Sequence, residues 1–280
     1  MHPTMAQQAP QPATTTHNPE PVPTNLSRVF TLIYGLVSYA ACLATFLYLM
    51  GFIGNFAVPK SMDSASAGSL STAMMIDLGL IALFTLQHSI MARPAFKRLL
   101  TRMIPSTIER STYVLASSVA LLFLFWQWRP LGGTVWDVHS STGKAVLYGA
   151  YAFGWLLLFA ATFVINHFDL FGLSQVWRHM RGRPQQKLRF VTPFLYRIVR
   201  HPLYVGWLLI FWSTPTMTVT HLFFAVMTTA YILIAIQIEE RDLMREHPEY
   251  AEYRQRVPML IPGTGTTPRE AASGAVNRTA

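Results

Sequence analysis

Long apolar runs separated by short polar and basic loops make up most of this chain. Four of the runs cover residues 27–54, 70–92, 113–128 and 144–166. A helix needs about 20 apolar residues to cross the hydrocarbon core of a bilayer, and these runs approach or exceed that length. The pattern therefore predicts four membrane-spanning helices.

Two further apolar runs, 204–212 and 222–238, are separated by Thr214-Pro215 and bracketed by charged residues. Charges at the outer ends of both runs predict a helical hairpin whose ends share one membrane face. The first leg, 202–214, covers only about 20 Å at 1.5 Å per residue, which is too short to cross. Irregular backbone at membrane depth is tolerated where it lines a cavity. We therefore expect a re-entrant hairpin with a pocket at its mouth.

The hairpin mouth, as we define it, comprises five residues: Arg200, His201, Tyr204, Glu239 and Glu240. Glu239 and Glu240 point about 100° apart on one helix, so we expect them to have separate tasks. We expect Glu240 to form a structural pair with Arg200 or Arg197. Gly206 is expected to permit close packing of the two legs.

Composition supports an all-α integral membrane protein. Hydrophobic residues make up 51% of the 280 residues and charged residues 12%, about half the charged share of a typical globular chain. The formal net charge of +9 would suggest nucleic-acid binding on a soluble chain. Here the basic residues cluster in loops between the spans, which indicates membrane topology instead. The predicted partner is a lipid bilayer and not a nucleic acid.

The basic loops also predict the orientation. Residues 93–110 and 178–200 carry the densest Lys and Arg, and such loops face the cytoplasm. Both termini and the predicted cofactor pocket are then cytoplasmic. Residues 1–25 and 263–280 are polar and aperiodic, which predicts disordered tails around one domain, 26–262, with its cofactor part at about 166–262. With one cysteine, Cys42, and no clustered ligands, no metal site is expected.

Motifs near the hairpin carry a resemblance. They are Phe190-Val191-Thr192, Tyr196, Arg200-His201-Pro202 with Tyr204 and Gly206, Glu239-Glu240 with Leu243, and Tyr250 with Tyr253 and Val257-Pro258. This arrangement resembles integral-membrane methyltransferases, the family of isoprenylcysteine carboxyl methyltransferase and the phospholipid N-methyltransferases. The resemblance implies an enzyme whose cofactor is S-adenosyl-L-methionine.

Other motifs are similar to those of bacterial methanethiol S-methyltransferases. They are residues 87–94, 109–113, 126–130, 166–173 and 239–243. This similarity implies methylation of methanethiol to dimethyl sulfide in a bacterial inner membrane. Isoprenylcysteine enzymes carry an Arg one turn before the paired Glu, where this chain reads Ala235-Ile236-Gln237-Ile238. A small uncharged substrate therefore fits better than a prenylcysteine. The alternatives are an isoprenoid or phospholipid methyltransferase, or a non-enzymatic accessory or transport protein.

The resemblance also assigns cofactor-binding residues. Glu239 offers a carboxylate to the ammonium of the cofactor. His201 and Tyr204 lie at i and i+3, hence on one helix face. The complete predicted set is Leu188, Val191, Tyr196, Arg200, His201, Leu203, Tyr204 and Glu239.

A thiol near its reference pKa is mostly protonated at neutral pH, whereas the thiolate is the nucleophile. The candidates for a base are His88, His167 and Asp169, at the ends of the second and fourth spans. Ionisable groups at membrane depth are often functional. The sequence leaves open whether a side chain or water takes the proton. We expect the substrate pocket to be walled by Trp207, Phe168, Phe171 and Gln87.

Overall fold

The structure, a computed structural model, describes residues 24–64, 68–185 and 193–264. The predicted tails lie almost entirely outside the described residues, as do Leu188 and Val191. The longer helices are α1 (Asn25–Gly54), α2 (Leu70–Ala92), α4 (Ser106–Gln127), α5 (Ser141–Ile165), α9 (Pro202–Trp212) and α10 (Val219–Glu246). The shorter elements are α3 (Pro94–Leu100), β1 (Thr134–Asp137), α6 (His167–Leu170), α7 (Leu173–Met180), α8 (Phe194–Ile198), β2 (Thr216–Thr218) and α11 (Tyr250–Arg256).

The predicted all-α membrane architecture is confirmed, with one change in the hairpin. Among the described residues, five helices are long and apolar enough to cross a membrane: α1, α2, α4, α5 and α10. The first four match the predicted spans. The second hairpin leg, expected to be part of a re-entrant element, is a helix of 28 residues, about 42 Å long. It exceeds the apolar run because Thr218 caps it early and its charged end stays helical to Glu246.

Helix α9 is short, as predicted, but its main packing partner differs from expectation. It has 11 residues and packs most extensively against α5 rather than against the second leg, α10. A Cβ on Gly206 would lie 2.9 Å from the carbonyl oxygen of Gly154. Gly206 therefore does permit close packing, but of α9 on α5, because two glycines face each other there.

The end of the bundle away from the hairpin mouth is closed by loop contacts. Strands β1 and β2 pair antiparallel, so the loop after α4 is joined to the break between the two hairpin legs. The buried Asp77 carboxylate accepts a hydrogen bond of 2.9 Å from the backbone N–H of Arg129. The Trp128 indole donates to the carbonyl of Met62 at 3.2 Å. The two hydrogen bonds hold together the ends of α1, α2 and α4 that lie away from the hairpin mouth. The strand pair ties this end to the start of α10, which follows β2 directly.

The first and last described residues both lie at the opposite end of the bundle. Near the start of α1, Arg28 lies beside Gly182. The C-terminal segment returns to the start of α9, where Arg200 and His201 donate backbone hydrogen bonds to Pro258 and Met259 at 2.8 and 3.2 Å. Residues 24 and 264 thus lie at the same end of the bundle as the hairpin mouth. That this end is cytoplasmic remains a prediction.

Candidate active site

A buried glutamate organises the hairpin mouth. Glu240 is 2% exposed, and its Oε1 accepts from Arg200 Nε at 2.7 Å and lies 3.0 Å from His201 Nε2. Its other oxygen lies 3.0 Å from Arg254 Nε. The predicted Glu240–Arg200 pair is present, with His201 and Arg254 added to it. One carboxylate on α10 therefore joins the start of α9 to α11.

The C-terminal segment is anchored to the same cluster. Arg200 Nη1 donates to the carbonyls of Arg254 and Val257 at 2.9 and 2.6 Å. The Tyr253 hydroxyl donates to the carbonyl of Tyr196 at 2.5 Å. Burial raises the pKa of Tyr253 to about 12, so its hydroxyl stays protonated and able to donate. Helix α11 is thereby fixed against α8 and the start of α9.

Glu239, in contrast, has no cationic partner among the described residues. It is half-buried, and its Oε2 accepts a hydrogen bond of 3.0 Å from the Tyr204 hydroxyl. Burial raises the pKa of Tyr196, and the nearby Glu239 carboxylate adds to this rise. Six of the predicted cofactor residues come together here: Tyr196, Arg200, His201, Leu203, Tyr204 and Glu239. His201 is already engaged by Glu240, whereas Glu239 is available to a ligand cation.

A cavity of about 320 Å³ extends from the hairpin mouth into the bundle. Leu203 and Tyr204 line it at the mouth, and Trp207 and Phe171 line it as predicted. Phe168 and Gln87 do not line it. Phe168 is 51% exposed on the outer surface, where its ring packs edge-on against Phe163 and His167.

His88 lies on this cavity within a group of polar side chains. Its Nδ1 is 3.2 Å from Ser117 Oγ, and the Tyr113 hydroxyl lies 2.9 Å from its Nε2. The guanidinium of Arg110 sits 5.8 Å from the centre of the Tyr113 ring. Of the three candidate bases, His88 is the one that lines the cavity.

His167 and Asp169 are buried beside the cavity but do not line it. His167 Nε2 lies 2.8 Å from the Tyr39 hydroxyl, and its Nδ1 lies 2.9 Å from Thr162 Oγ1. Burial lowers the pKa of His167, which favours the neutral ring at pH 7. Asp169 bonds to the side chain of Asn166 and lies 3.7 Å from Arg178. Both side chains thus hold the turn between α5 and α7.

Sequence reasoning did not assign the polar residues of α4 to the site. Arg110, Tyr113 and Ser117 all line the cavity. They are spaced three and four residues apart, so they share one helix face. Polar residues at this spacing in an otherwise apolar span are a signal that could have found them. Tyr231, whose hydroxyl lies 3.0 Å from Ser89 Oγ, faces them from α10.

Comparison with known proteins places this chain among membrane methyltransferases. A family model described as phospholipid methyltransferase matches residues 148–251. A methanethiol S-methyltransferase of Crocosphaera subtropica is 54% identical over 241 residues, which cover 86% of this chain and 94% of that protein. The chain belongs to the methanethiol S-methyltransferase family. It is therefore a methyltransferase, and membership of the family implies a methyl donor.

Other members of the family match as completely. A methanethiol S-methyltransferase of Bradyrhizobium diazoefficiens is 52% identical over 84% of this chain and 91% of its own. One from Mycobacterium tuberculosis is 47% identical over 85% of this chain and 98% of its own. The comparison with solved structures found no significant match.

The Glu240 cluster yields a prediction on stability. Replacing Glu240 by Gln leaves Arg200 buried, at 10% side-chain exposure, without its counter-charge. Breaking a buried pair from one side typically costs about 3–5 kcal/mol, so the variant should melt well below the wild type in detergent. Glu252→Gln is the control, because its pair with Arg256 is exposed and such pairs contribute about 0–1 kcal/mol. Equal melting temperatures for the two variants would contradict the structural role of Glu240.

Proposed function

We propose that this enzyme transfers a methyl group from S-adenosyl-L-methionine to methanethiol and forms dimethyl sulfide. The observation that carries the proposal is that an acidic side chain lies next to the cavity. Glu239 is a half-buried carboxylate with no cationic partner among the described residues. It accepts a hydrogen bond from Tyr204, which lines a mostly apolar cavity with polar side chains at its mouth. The curated relatives that match nearly the whole chain carry the name of this activity.

The residues at the mouth suit the proposed donor. Glu239 would bind the ammonium group of S-adenosyl-L-methionine through charge-assisted hydrogen bonds, and the Tyr204 hydroxyl fixes the carboxylate for it. Tyr196 and Leu203 supply walls, and Leu188 and Val191 are predicted contacts of the adenosine. When bound, the donor supplies an electrophilic methyl group on a sulfonium.

The other requirement is a thiolate held in line with that methyl group in a site that excludes water. The thiolate sulfur forms the new S–CH₃ bond, the sulfonium C–S bond breaks, and its electron pair stays on the donor sulfur. The thiol proton passes to His88, directly or through the hydroxyl of Tyr113 or Ser117, which lie 2.9 and 3.2 Å from the ring nitrogens. The products are dimethyl sulfide, S-adenosylhomocysteine and a proton.

The basic loops support a cytoplasmic position for the hairpin mouth in a bacterial inner membrane. Residues 93–105 connect α2 and α4 at the same end of the bundle as the mouth. They carry Arg93, Lys97, Arg98 and Arg102, and such loops face the cytoplasm. A polar donor would then reach Glu239 from the aqueous side, while an uncharged thiol can enter through the bilayer.

A substrate panel tests the proposed function. Purified protein in nanodiscs would receive S-adenosyl-L-methionine with methanethiol, a prenylcysteine or phosphatidylethanolamine. We expect dimethyl sulfide from methanethiol and no methylated lipid or prenylcysteine. No described cation stands one turn before Glu239 to hold the carboxylate of a prenylcysteine, and the matched relatives carry the name of the methanethiol enzyme and not of a lipid enzyme. Dimethyl sulfide at background level would contradict the proposal. Methylated lipid would support the other membrane enzymes, and no binding of S-adenosylhomocysteine would support a non-enzymatic protein.

Placement of His88 on the cavity predicts a change in the pH profile. His88→Gln should lower turnover of methanethiol at pH 7 by about 10²-fold or more, the usual range for losing a general base. Turnover should recover partly at pH 9, where more of the thiol is ionised. His167→Gln is the matched control, because His167 is buried outside the cavity, and its pH profile should keep the wild-type shape. An unchanged profile for His88→Gln would mean that the proton leaves through water.

A further inference from the structure

The cavity is much deeper than the proposed substrate needs. On α4 its lining residues run from Arg110 at the mouth to Leu124, about 21 Å along the helix at 1.5 Å per residue. On α9 they run from Leu203 to Phe211, about 12 Å. Methanethiol, with one carbon and one sulfur atom, would occupy only the part beside His88 and Tyr204.

The inner part of the cavity is apolar. We call it the deep chamber, and its walls include Leu49, Ile81, Leu121, Leu124, Phe211 and Phe224. All of these side chains lie on their helices farther from the hairpin mouth than the polar group around His88. The charged Arg110 and the ring nitrogens of His88 are therefore confined to the mouth.

The hydroxyl groups around the deep chamber are already used as donors within their own helices. Thr45 donates to the carbonyl of Ala41 at 2.8 Å, and Ser118 donates to that of Val114 at 2.9 Å. Thr228 likewise donates to the carbonyl of Phe224 at 2.6 Å. The acceptor atoms of a ribose, purine or amino-acid group placed here would lose their hydrogen bonds to water and find no donor among these three hydroxyls, which is costly. The deep chamber is thus unsuited to the methyl donor and suited to hydrocarbon.

The volume shows how much hydrocarbon can fit. An engineered apolar cavity of about 150 Å³ stays dry and binds benzene, and the whole cavity here is about 320 Å³. The room arises because α1 and α4 place small side chains, Cys42, Thr45 and Ser118, on its wall. All three are buried, so the space faces the interior and not the surrounding lipid.

We infer that the enzyme also methylates uncharged alkyl thiols larger than methanethiol, with the sulfur at His88 and the hydrocarbon in the deep chamber. The inference rests on the proposed function, since the same donor and the same bond changes are required. The new bond joins the thiol sulfur to the methyl group, the sulfonium C–S bond breaks, and the thiol proton is released. The product is an alkyl methyl sulfide.

A series of thiols tests the inference. Methanethiol, ethanethiol, 1-propanethiol and 1-butanethiol would be assayed with the protein in nanodiscs, with the methyl sulfides measured by gas chromatography. We expect turnover for every member, with KM falling about fourfold per methylene, which corresponds to ~0.8 kcal/mol for each buried CH₂. Concentrations in the aqueous phase must be measured directly, because longer thiols partition into the bilayer.

Filling the deep chamber separates binding there from partitioning into lipid. Ser118→Leu should lower the ratio of kcat/KM for 1-butanethiol to that for methanethiol by at least tenfold. Ser118→Ala is the matched control, because it removes the hydroxyl without filling space, and its ratio should stay within about twofold of the wild type. Thr228→Phe narrows the chamber from α10 and should lower the same ratio as Ser118→Leu does. With two independent filling variants, the test still stands if one of them fails to fold.

The outcomes are distinguishable. If methanethiol is methylated while longer thiols are not, the inference is overturned and the proposed function stands. A ratio that does not change in Ser118→Leu and Thr228→Phe also overturns it, because the hydrocarbon then lies elsewhere. If no thiol in the series is methylated, the proposed function fails and the inference fails with it.

Discussion

The arrangement of the site depends on one buried carboxylate. A charge removed from water is costly unless oppositely charged and hydrogen-bonding groups surround it, and Glu240 meets that condition through Arg200, His201 and Arg254. Those partners come from the start of α9 and from α11, so the pairing fixes both relative to α10. The neighbouring Glu239 points about 100° away around the helix. It is left half-buried beside Tyr204, where a cationic ligand can reach it.

The short α9 explains why a cavity can exist beside this cluster. It follows α5 closely because Gly154 and Gly206 bring the two backbones together. Its contacts with α10 are fewer, which leaves room between α9, α10 and the helices α1, α2 and α4. Bulky side chains such as Trp207 and Phe211 close this space from one side. The polar residues of α2 and α4 close its mouth, so the proposed chemistry and the apolar chamber share one interior.

The sequence predicted those features that depend on local pattern. The lengths of the apolar runs were enough to place α1, α2, α4 and α5. The charged residues at the outer ends of the two hairpin legs were enough to predict that Arg200 and Glu240 lie together. It underestimated α10, because a helix can continue through charged residues once it leaves the apolar layer. It also paired α9 with the wrong helix. Facing glycines on α5 and α9 are 52 positions apart, and no local pattern links them.

The candidate bases show the same limit. His88, His167 and Asp169 are equivalent by sequence, since each lies near the end of a span. Only tertiary packing separates them: the ring of His88 faces the cavity, whereas the other two side chains bond to α1, α5 and α7. The spacing of Arg110, Tyr113 and Ser117 marks a polar face of α4, but the sequence does not say which cavity that face meets.

The central claim is that Glu239 binds the methyl donor while Glu240 holds the fold, and calorimetry with S-adenosylhomocysteine tests it most directly. Glu239→Gln would be compared with the wild type and with Glu252→Gln on the exposed side of α11. The loss of a hydrogen bond to a charged group costs about 1.5–3 kcal/mol. Glu239→Gln should therefore bind at least about tenfold more weakly while its melting temperature stays near that of the wild type. Binding as tight as that of the wild type would contradict the assignment of Glu239.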